Sequence, residues 1–121
     1  MTNNEAVKWC QKLAEGWKNV DFNVILDIFS DIECYYEDPF TQPGTTDKDI
    51  KGFWEDIVYQ DIRELSIYPI AIDGNIVIAR WYLDYIDKRT NENFIMDGIY
   101  QMIFNSCKKC VNFTQWWVMK E

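Results

Sequence analysis

The sequence contains no histidine, and this absence excludes several kinds of active site. Without an imidazole, a single chain cannot build a Ser-His-Asp triad or a Cys-His pair. It also cannot offer histidine ligands to zinc, non-haem iron or copper. Any acid–base chemistry is therefore expected to rely on carboxylates and tyrosines.

Positive charge is also scarce, since 12 Lys and Arg face 20 Asp and Glu in 121 residues, a formal net charge of −8. The compact basic clusters at 88–89 and 108–109 are too short for a phosphate-binding surface. No apolar run approaches the roughly 18 residues of a membrane span, and residues 1–5 lack signal-peptide features. We therefore expect a cytoplasmic protein without nucleic-acid or membrane partners.

The few cysteines include one C-x-x-C pair, Cys107 and Cys110. A zinc site would need two further ligands, and Cys10 and Cys34 belong to elements that are not expected to converge on this hairpin. A thioredoxin-type motif needs a strand-to-helix context, which is absent. We expect a reduced pair at the tip of a hairpin, with no metal and no cofactor.

Hydrophobic and aromatic residues, by contrast, are abundant at 48% and 17% of the chain. A chain of this length buries about two-thirds of its unfolded surface on folding. It shows no repeat or linker, which predicts one domain over residues 1–121.

The apolar periodicity changes along the chain from helical to strand-like. Helices are predicted over about 3–19, with Asn3 or Asn4 as N-cap, and over 48–60, with Asp47 as N-cap. A second, shorter helix is predicted to begin after Asp21, which is its N-cap. Strands are predicted, with a hairpin turn at Asp73-Gly74, over 32–37, 63–73, 75–87, 92–104 and 109–119. Helices followed by a meander of strands predict an α+β domain with helices on one face of a curved sheet.

This order of elements, together with three motifs, resembles the NTF2-like superfamily, including ketosteroid isomerase and the SnoaL-like polyketide cyclases. The motifs are YEDPF at 36–40, IKGFW at 50–54 and DGIYQMIF at 97–104. The resemblance covers nearly the whole chain and implies a cone, in which N-terminal helices pack on a strongly curved, mixed, mostly antiparallel sheet that encloses a pocket. The superfamily hosts isomerases, cyclases, hydrolases and binding proteins, so the scaffold alone does not name a function.

The resemblance also implies catalytic residues. Asp38 takes the place of the isomerase's general base, and Tyr100 that of its protonated aspartate. The isomerase's first-helix tyrosine has no counterpart, since Leu13 or Ala14 falls there, and the histidine expected in SnoaL-type cyclases is missing. Asp38 is thus expected to take a proton beside a carbonyl, while Tyr100 or Tyr82 donates to the developing oxygen charge. The alternative is that Asp38 only begins a turn.

Comparison with the isomerase assigns the even-numbered residues of strands 75–87 and 92–104, and the odd-numbered residues of the last strand, to the pocket. The predicted ligand-binding residues are Trp17, Tyr36, Phe53, Trp54, Arg80, Asp84, Met102, Gln115 and Trp117. For Arg80 the alternative is a rim charge whose stem packs on aromatic rings. The opposite sheet face is expected to carry Trp81, Tyr85 and Trp116 into a homodimer interface.

Three functions remain open for such a domain. The first is that of an isomerase, cyclase or hydratase acting on an apolar ring compound with a carbonyl. The second is that of a module that binds a small apolar ligand without turning it over. The third is that of a structural dimer whose cone is filled by its own side chains. A cavity below about 300 Å³ favours the last of these.

Overall fold

A computed structural model describes residues 1–121. The helices are α1 Asn3–Lys18, α2 Phe22–Ile28, α3 Asp47–Trp54 and a 3-10 helix Glu55–Tyr59. The strands are β1 Cys34–Tyr36, β2 Gln60–Asp73, β3 Ile76–Asp87, β4 Asn93–Phe104 and β5 Cys110–Met119. They form one open sheet in the order β1-β5-β4-β3-β2, in which β1 runs parallel to β5 and all other pairs are antiparallel. No helix combines the length and the apolar character needed to cross a membrane.

Side-chain caps set the helix boundaries and correct two of the predicted caps. Thr2, rather than Asn3 or Asn4, caps α1 in a capping box with Glu5. Thr46, rather than Asp47, caps α3. Its hydroxyl accepts a hydrogen bond from the Asp49 N–H at 3.2 Å, and its own N–H donates to the Asp49 carboxylate. The predicted helix 48–60 is divided, since α3 gives way to the 3-10 helix at residue 55.

The turn between β3 and β4 decides which side chains share a face. Asp87 N–H donates to the carbonyl of Glu92 at 2.9 Å, so the turn contains four residues. Each odd-numbered β3 residue is therefore paired with an even-numbered β4 residue, as Trp81 is with Gly98. Because cross-strand partners lie on the same face, the odd-numbered side chains of β3 accompany the even-numbered ones of β4.

The sheet's inner face, which packs on the helices, carries the apolar residues of β3, and the predicted facing of this strand is wrong. Trp81 and Leu83 are buried against the helices, while Arg80, Tyr82 and Asp84 lie on the outer face. Turning two charged groups inward would cost their hydration and expose large apolar side chains. The predicted facings of β4 and β5 are correct, with Tyr100 and Phe113 fully buried.

Candidate functional site

The inner face and the helices enclose a cavity of about 230 Å³, called the cone cavity below. Its walls come from α1, α3, the 3-10 helix, the end of β1, the start of β2 and strands β3 to β5. Thirteen of its nineteen lining residues are hydrophobic, so its few polar groups are well defined. The site is thus a small, partly open chamber with largely aromatic walls and a limited set of polar groups.

Cross-strand pairing places three polar groups in one row across the floor of the cavity. Gln115 on β5 is paired with Tyr100 on β4. The last pair of the β1–β5 ladder is Tyr36 with Thr114, so Glu37 follows one residue further along, beside Gln115. Neighbouring strands lie about 4.8 Å apart, which brings the carboxylate, the amide and the phenol into one small region.

The next row consists of two tryptophans separated by a glycine. Gly98 on β4 is paired with Trp81 on one side and Trp117 on the other. A Cβ at Gly98 would lie only 2.5 Å from Trp81 Nε1, so the indole lies flat across the bare backbone. There it stacks on the Tyr100 ring, with centroids 5.4 Å apart and planes inclined by 11°. The Trp81 N–H is buried without a hydrogen-bond partner.

Glu37 is the one carboxylate in the cavity lining that has no ion-pair partner. Its carboxylate takes part in no ion pair and accepts no hydrogen bond from a protein side chain. Burial, reinforced by the negative charges of Asp38 and Asp56, raises the pKa of Glu37 to about 7. Both protonation states of Glu37 are therefore well populated near neutral pH.

Two buried tyrosines and one buried glutamine surround this carboxylate. Burial, followed by the charge of Glu37, raises the pKa of Tyr35 and that of Tyr100 well above the usual range. Both phenols are therefore neutral donors. Gln115 is only 8% exposed, yet neither its amide nor the Tyr100 hydroxyl makes a hydrogen bond to another protein group. These groups are free to bind a ligand.

The mouth of the cavity carries the only positive charge in its lining, and that charge is already paired. Arg89 donates from Nε and Nη2 to the two carboxylate oxygens of Asp87 at 3.1 and 2.9 Å. These hydrogen bonds hold the pKa of Asp87 below its usual range. The guanidinium also lies over the Tyr59 ring, 4.1 Å from its centroid, and its Nη1 is 3.9 Å from Asp56.

The structure brings half of the predicted site residues together in the cone cavity, and they are Trp17, Phe53, Trp54, Tyr100, Gln115 and Trp117. Trp17 donates its indole N–H to the Gln60 side-chain oxygen at 2.7 Å. Met102 belongs to the core beneath the cavity and is fully buried. Tyr36 alternates to the opposite side of β1 from Tyr35 and does not line the cavity.

The other predicted site residues lie outside the cone cavity. Asp38 Oδ1 accepts a hydrogen bond from Phe40 N–H at 2.7 Å, as expected if this residue begins a turn. On the outer face, Arg80 forms a two-pronged ion pair with Asp97, at 3.1 and 2.6 Å. Asp84 accepts a hydrogen bond from Asn93, and Tyr82 lies on the same outer face. Arg80, Tyr82 and Asp84 point outward because the inner and outer faces of β3 are the opposite of those predicted.

Sequence reasoning missed Glu37 and Tyr35, and it assigned Trp81 and Tyr85 to the outer face. The signal for Glu37 lies in the alternation of side chains along the predicted strand 32–37, in which the structure shows Tyr35 to be buried. Residue 37 therefore shares the inward face with residue 35, whereas residue 38 turns away. Trp81 and Tyr85 line the cavity, and of the three predicted outer aromatics only Trp116 lies outside.

The chain's potential metal ligands do not form a cluster. No group of three or more His, Cys, Asp or Glu side chains is placed to hold a metal ion. The cysteines are free thiols; Cys107 is exposed, whereas Cys110 is buried, which raises the pKa of its thiol. Burial likewise raises the pKa of Cys10 to about 12, so neither buried cysteine is a ready thiolate.

Comparisons with known proteins add information about the fold. No protein-family model matches the sequence, and no curated protein matches it. AclR from Streptomyces galilaeus, proposed to be a hydroxylase, superposes with a TM-score of 0.78 at 16% identity, covering 98% of this chain and 82% of that one.

Two further solved structures extend the match over nearly the full length of both chains. A protein from Mesorhizobium loti, proposed to be a SnoaL-like polyketide cyclase, has a TM-score of 0.65 at 16% identity and covers 96% of this chain and 99% of its own. An NTF2-like protein from Burkholderia thailandensis has a TM-score of 0.67 at 12% identity and covers 98% and 92%. The chain therefore has the NTF2-like fold, in the form seen in SnoaL-like proteins.

Proposed function

We propose that the chain binds a compact apolar molecule in the cone cavity and that Glu37 exchanges a proton with it. The observation that carries this proposal is a half-buried, unpaired carboxylate, with a pKa raised to about 7, inside an aromatic chamber. A carboxylate in such surroundings is typical of general acids and bases, whose pKa values lie near the working pH.

The volume of the cavity limits the ligand. A cavity of about 150 Å³ accommodates benzene, so the 230 Å³ found here suits one ring with a few further atoms. This volume is below about 300 Å³, and a cavity smaller than that limit favours a cone filled by its own side chains. The Gln115 amide and Tyr100 hydroxyl nevertheless support a ligand, because both belong to residues that line the cavity and neither hydrogen-bonds to a protein group.

The reaction that suits these groups is a proton shift next to a carbonyl. With a β,γ-unsaturated ketone, Glu37 takes a proton from the α-carbon, the C–H electron pair forms a C=C bond, and the carbonyl π pair moves onto the oxygen, which accepts a hydrogen bond from the Tyr100 hydroxyl. Return of the proton from Glu37 to the γ-carbon of this dienolate completes an isomerisation. The likeness to proteins proposed to be a cyclase and a hydroxylase supports small-molecule chemistry on this fold.

Deuterium exchange tests this proposal directly. With 2-indanone in D₂O, we expect the wild type to catalyse exchange at the α-carbon, measured by NMR, with a rate that rises through pH 7 as Glu37 ionises. Glu37→Gln should lower the rate by at least about 100-fold. Glu33→Gln, a change at an exposed carboxylate in the same segment, should leave it unchanged.

The other outcomes separate the alternatives. Loss of exchange in Asp38→Asn but not in Glu37→Gln would assign the base to Asp38, as the sequence resemblance implies. Binding of 2-indanone without exchange would support a non-catalytic binding module. A wild type that neither binds nor exchanges this ketone or a similar one-ring carbonyl compound would contradict the proposal.

We also propose a homodimer formed through the outer face. Exposed apolar side chains on β2 and β5, including Ile70, Trp116 and Val118, lie around the Arg80–Asp97 ion pair. The fully exposed Phe40 borders the same surface. An apolar patch of this kind is typical of subunit interfaces. The interface differs from the predicted one, because Trp81 and Tyr85 line the cavity instead.

A further inference from the structure

We infer that the ligand of the cone cavity carries a positively charged nitrogen, as a protonated or quaternary amine. This inference rests on the proposed function, because it takes the cone cavity as the ligand site and Glu37 as its ionisable group. It goes further by naming the charge of the ligand.

The charges of the lining favour a cation. Glu37, Asp56 and Asp87 line the cavity together with a single positive group, Arg89. The guanidinium is held by Asp87 and turned toward Tyr59, so it does not neutralise Glu37. An anionic ligand would add a further negative charge to this set, whereas a cation would compensate Glu37.

The groups that face Glu37 include no protein cation. The charged groups near it are the carboxylates of Asp38 and Asp56, and the titratable groups are the phenols of Tyr35 and Tyr100. A carboxylate that is partly desolvated, as Glu37 is, is normally paired with a cation or hydrogen-bonded. The missing partner of this carboxylate is therefore supplied by the ligand.

The walls of the cavity supply the other half of an ammonium site. Nine of the nineteen lining residues are aromatic, and four of these are the tryptophans Trp17, Trp54, Trp81 and Trp117. Tryptophan faces bind cations best among the aromatic side chains. The mouth of the cavity already shows this interaction, since the Arg89 guanidinium lies 4.1 Å above the centroid of the Tyr59 ring.

Gln115 provides an independent indication of a polar ligand group. Its side chain is 8% exposed and lines the cavity next to Glu37 and Tyr100, without a protein partner for its amide. The amide oxygen is an acceptor for the N–H of a protonated amine, and its negative end also faces a quaternary one favourably. A carboxylate, an amide oxygen and aromatic faces thus converge on one small volume, and each of them favours a cation.

A matched pair of probes tests the charge alone. Phenyltrimethylammonium and tert-butylbenzene have nearly the same shape, and only the first is charged. We expect the wild type at pH 8 and 0.15 M salt, where surface charge is largely screened, to bind the ammonium at least about tenfold more tightly. Tryptophan fluorescence gives the affinity, and competition between the probes shows that they share one site.

Glu37 should account for this preference. In Glu37→Gln at pH 8, and in the wild type at pH 5.5, where Glu37 is protonated, we expect the ratio of the two affinities to fall to about threefold or less. Glu33→Gln is the control and should keep the wild-type ratio at pH 8, because it removes a negative charge outside the cavity.

The possible failures are distinguishable. Equal or tighter binding of tert-butylbenzene by the wild type at pH 8 overturns the positive charge and leaves the proposed cavity function intact. A tenfold preference that persists in Glu37→Gln overturns the assignment of Glu37 as the partner of the cation, because the aromatic walls alone then account for the preference. If neither probe binds, the inference and the proposed ligand site fail together.

Discussion

At the scale of single residues, the chemistry of the cavity depends on which of two adjacent carboxylates points inward. Glu37 and Asp38 follow β1 directly, where the chain bends, and their side chains lie on different surfaces. Glu37 follows the inward Tyr35 by two residues and lines the cavity, whereas Asp38 hydrogen-bonds to Phe40 N–H in a turn. A family motif located this segment correctly, but a shift of one residue changes which carboxylate it brings to the site.

The raised pKa of Glu37 predicts a pH-dependent cost to stability. Its pKa is about 7 in the folded chain against an ordinary 4.5, so the folded state loses stability as the pH rises from about 4.5 through 7. Glu37→Gln should therefore stabilise the protein at pH 8 by about 1–3 kcal/mol and have little effect at pH 4. Urea unfolding at both pH values measures this difference.

Glu33→Gln provides the comparison for this stability effect. Glu33 is exposed, and its replacement should change the free energy of unfolding by less than about 0.5 kcal/mol at either pH. A Glu37→Gln protein that is equally stable relative to wild type at pH 4 and pH 8 would show that the carboxylate is not desolvated.

At the scale of elements, the strand boundaries followed closely from period-2 alternation and turn residues. The Asp73-Gly74 hairpin is confirmed, with Gly74 at a φ of +60° that glycine tolerates readily. The facing of β3 was wrong because it was taken from the resemblance and not from the strand's own polarity. The four-residue turn after Asp87 and the apolar odd-numbered residues both indicate the observed facing.

The close packing of Trp81 and β5 against Gly98 leaves no space for a side chain at this position. An added Cβ would meet Trp81 Nε1 at 2.5 Å and also the backbone oxygen of Trp116, so the sheet would have to shift. We expect Gly98→Ala to lower the free energy of unfolding by about 2–4 kcal/mol and to displace the Trp81 ring. Chemical denaturation and near-ultraviolet circular dichroism would record both effects.

Gly52→Ala is the matched control for this substitution. Gly52 lies in α3, and a Cβ there would meet nothing within 4 Å. The change should leave stability unaltered or raise it by up to about 1 kcal/mol, since alanine is the better helix former. Similar effects of the two substitutions would contradict the close approach of Trp81 to β4.

At the scale of the whole molecule, the fold was predictable and the contents of its cavity were only partly so. Periodicity predicted the order of helices and strands and hence an α+β domain, and the family resemblance predicted the cone. The cavity depends on side chains from elements far apart in sequence, such as Trp17 on α1 and Tyr100 on β4. Trp17 and Tyr100 were predicted as site residues. Glu37 was not, because its place beside Gln115 depends on the parallel pairing of β1 with β5, which joins segments that are distant in sequence.

The outer face makes a prediction about assembly. Trp116 is 44% exposed and lies among apolar neighbours around the Arg80–Asp97 ion pair. If two copies pack these faces together, a charge introduced at the centre is left buried and unpaired. We expect a wild-type dimer by sedimentation at tens of micromolar and a folded monomer for Trp116→Glu.

Val58→Glu separates a loss of the interface from a general effect of added charge. Val58 is similarly exposed, at 40%, but it lies on the 3-10 helix away from the outer face. This variant should remain dimeric, because its new carboxylate stays in water. A monomeric wild type, or equal dissociation in both variants, would contradict the proposed interface. In either case the apolar outer face would need another partner, since the cone cavity faces the opposite side of the sheet.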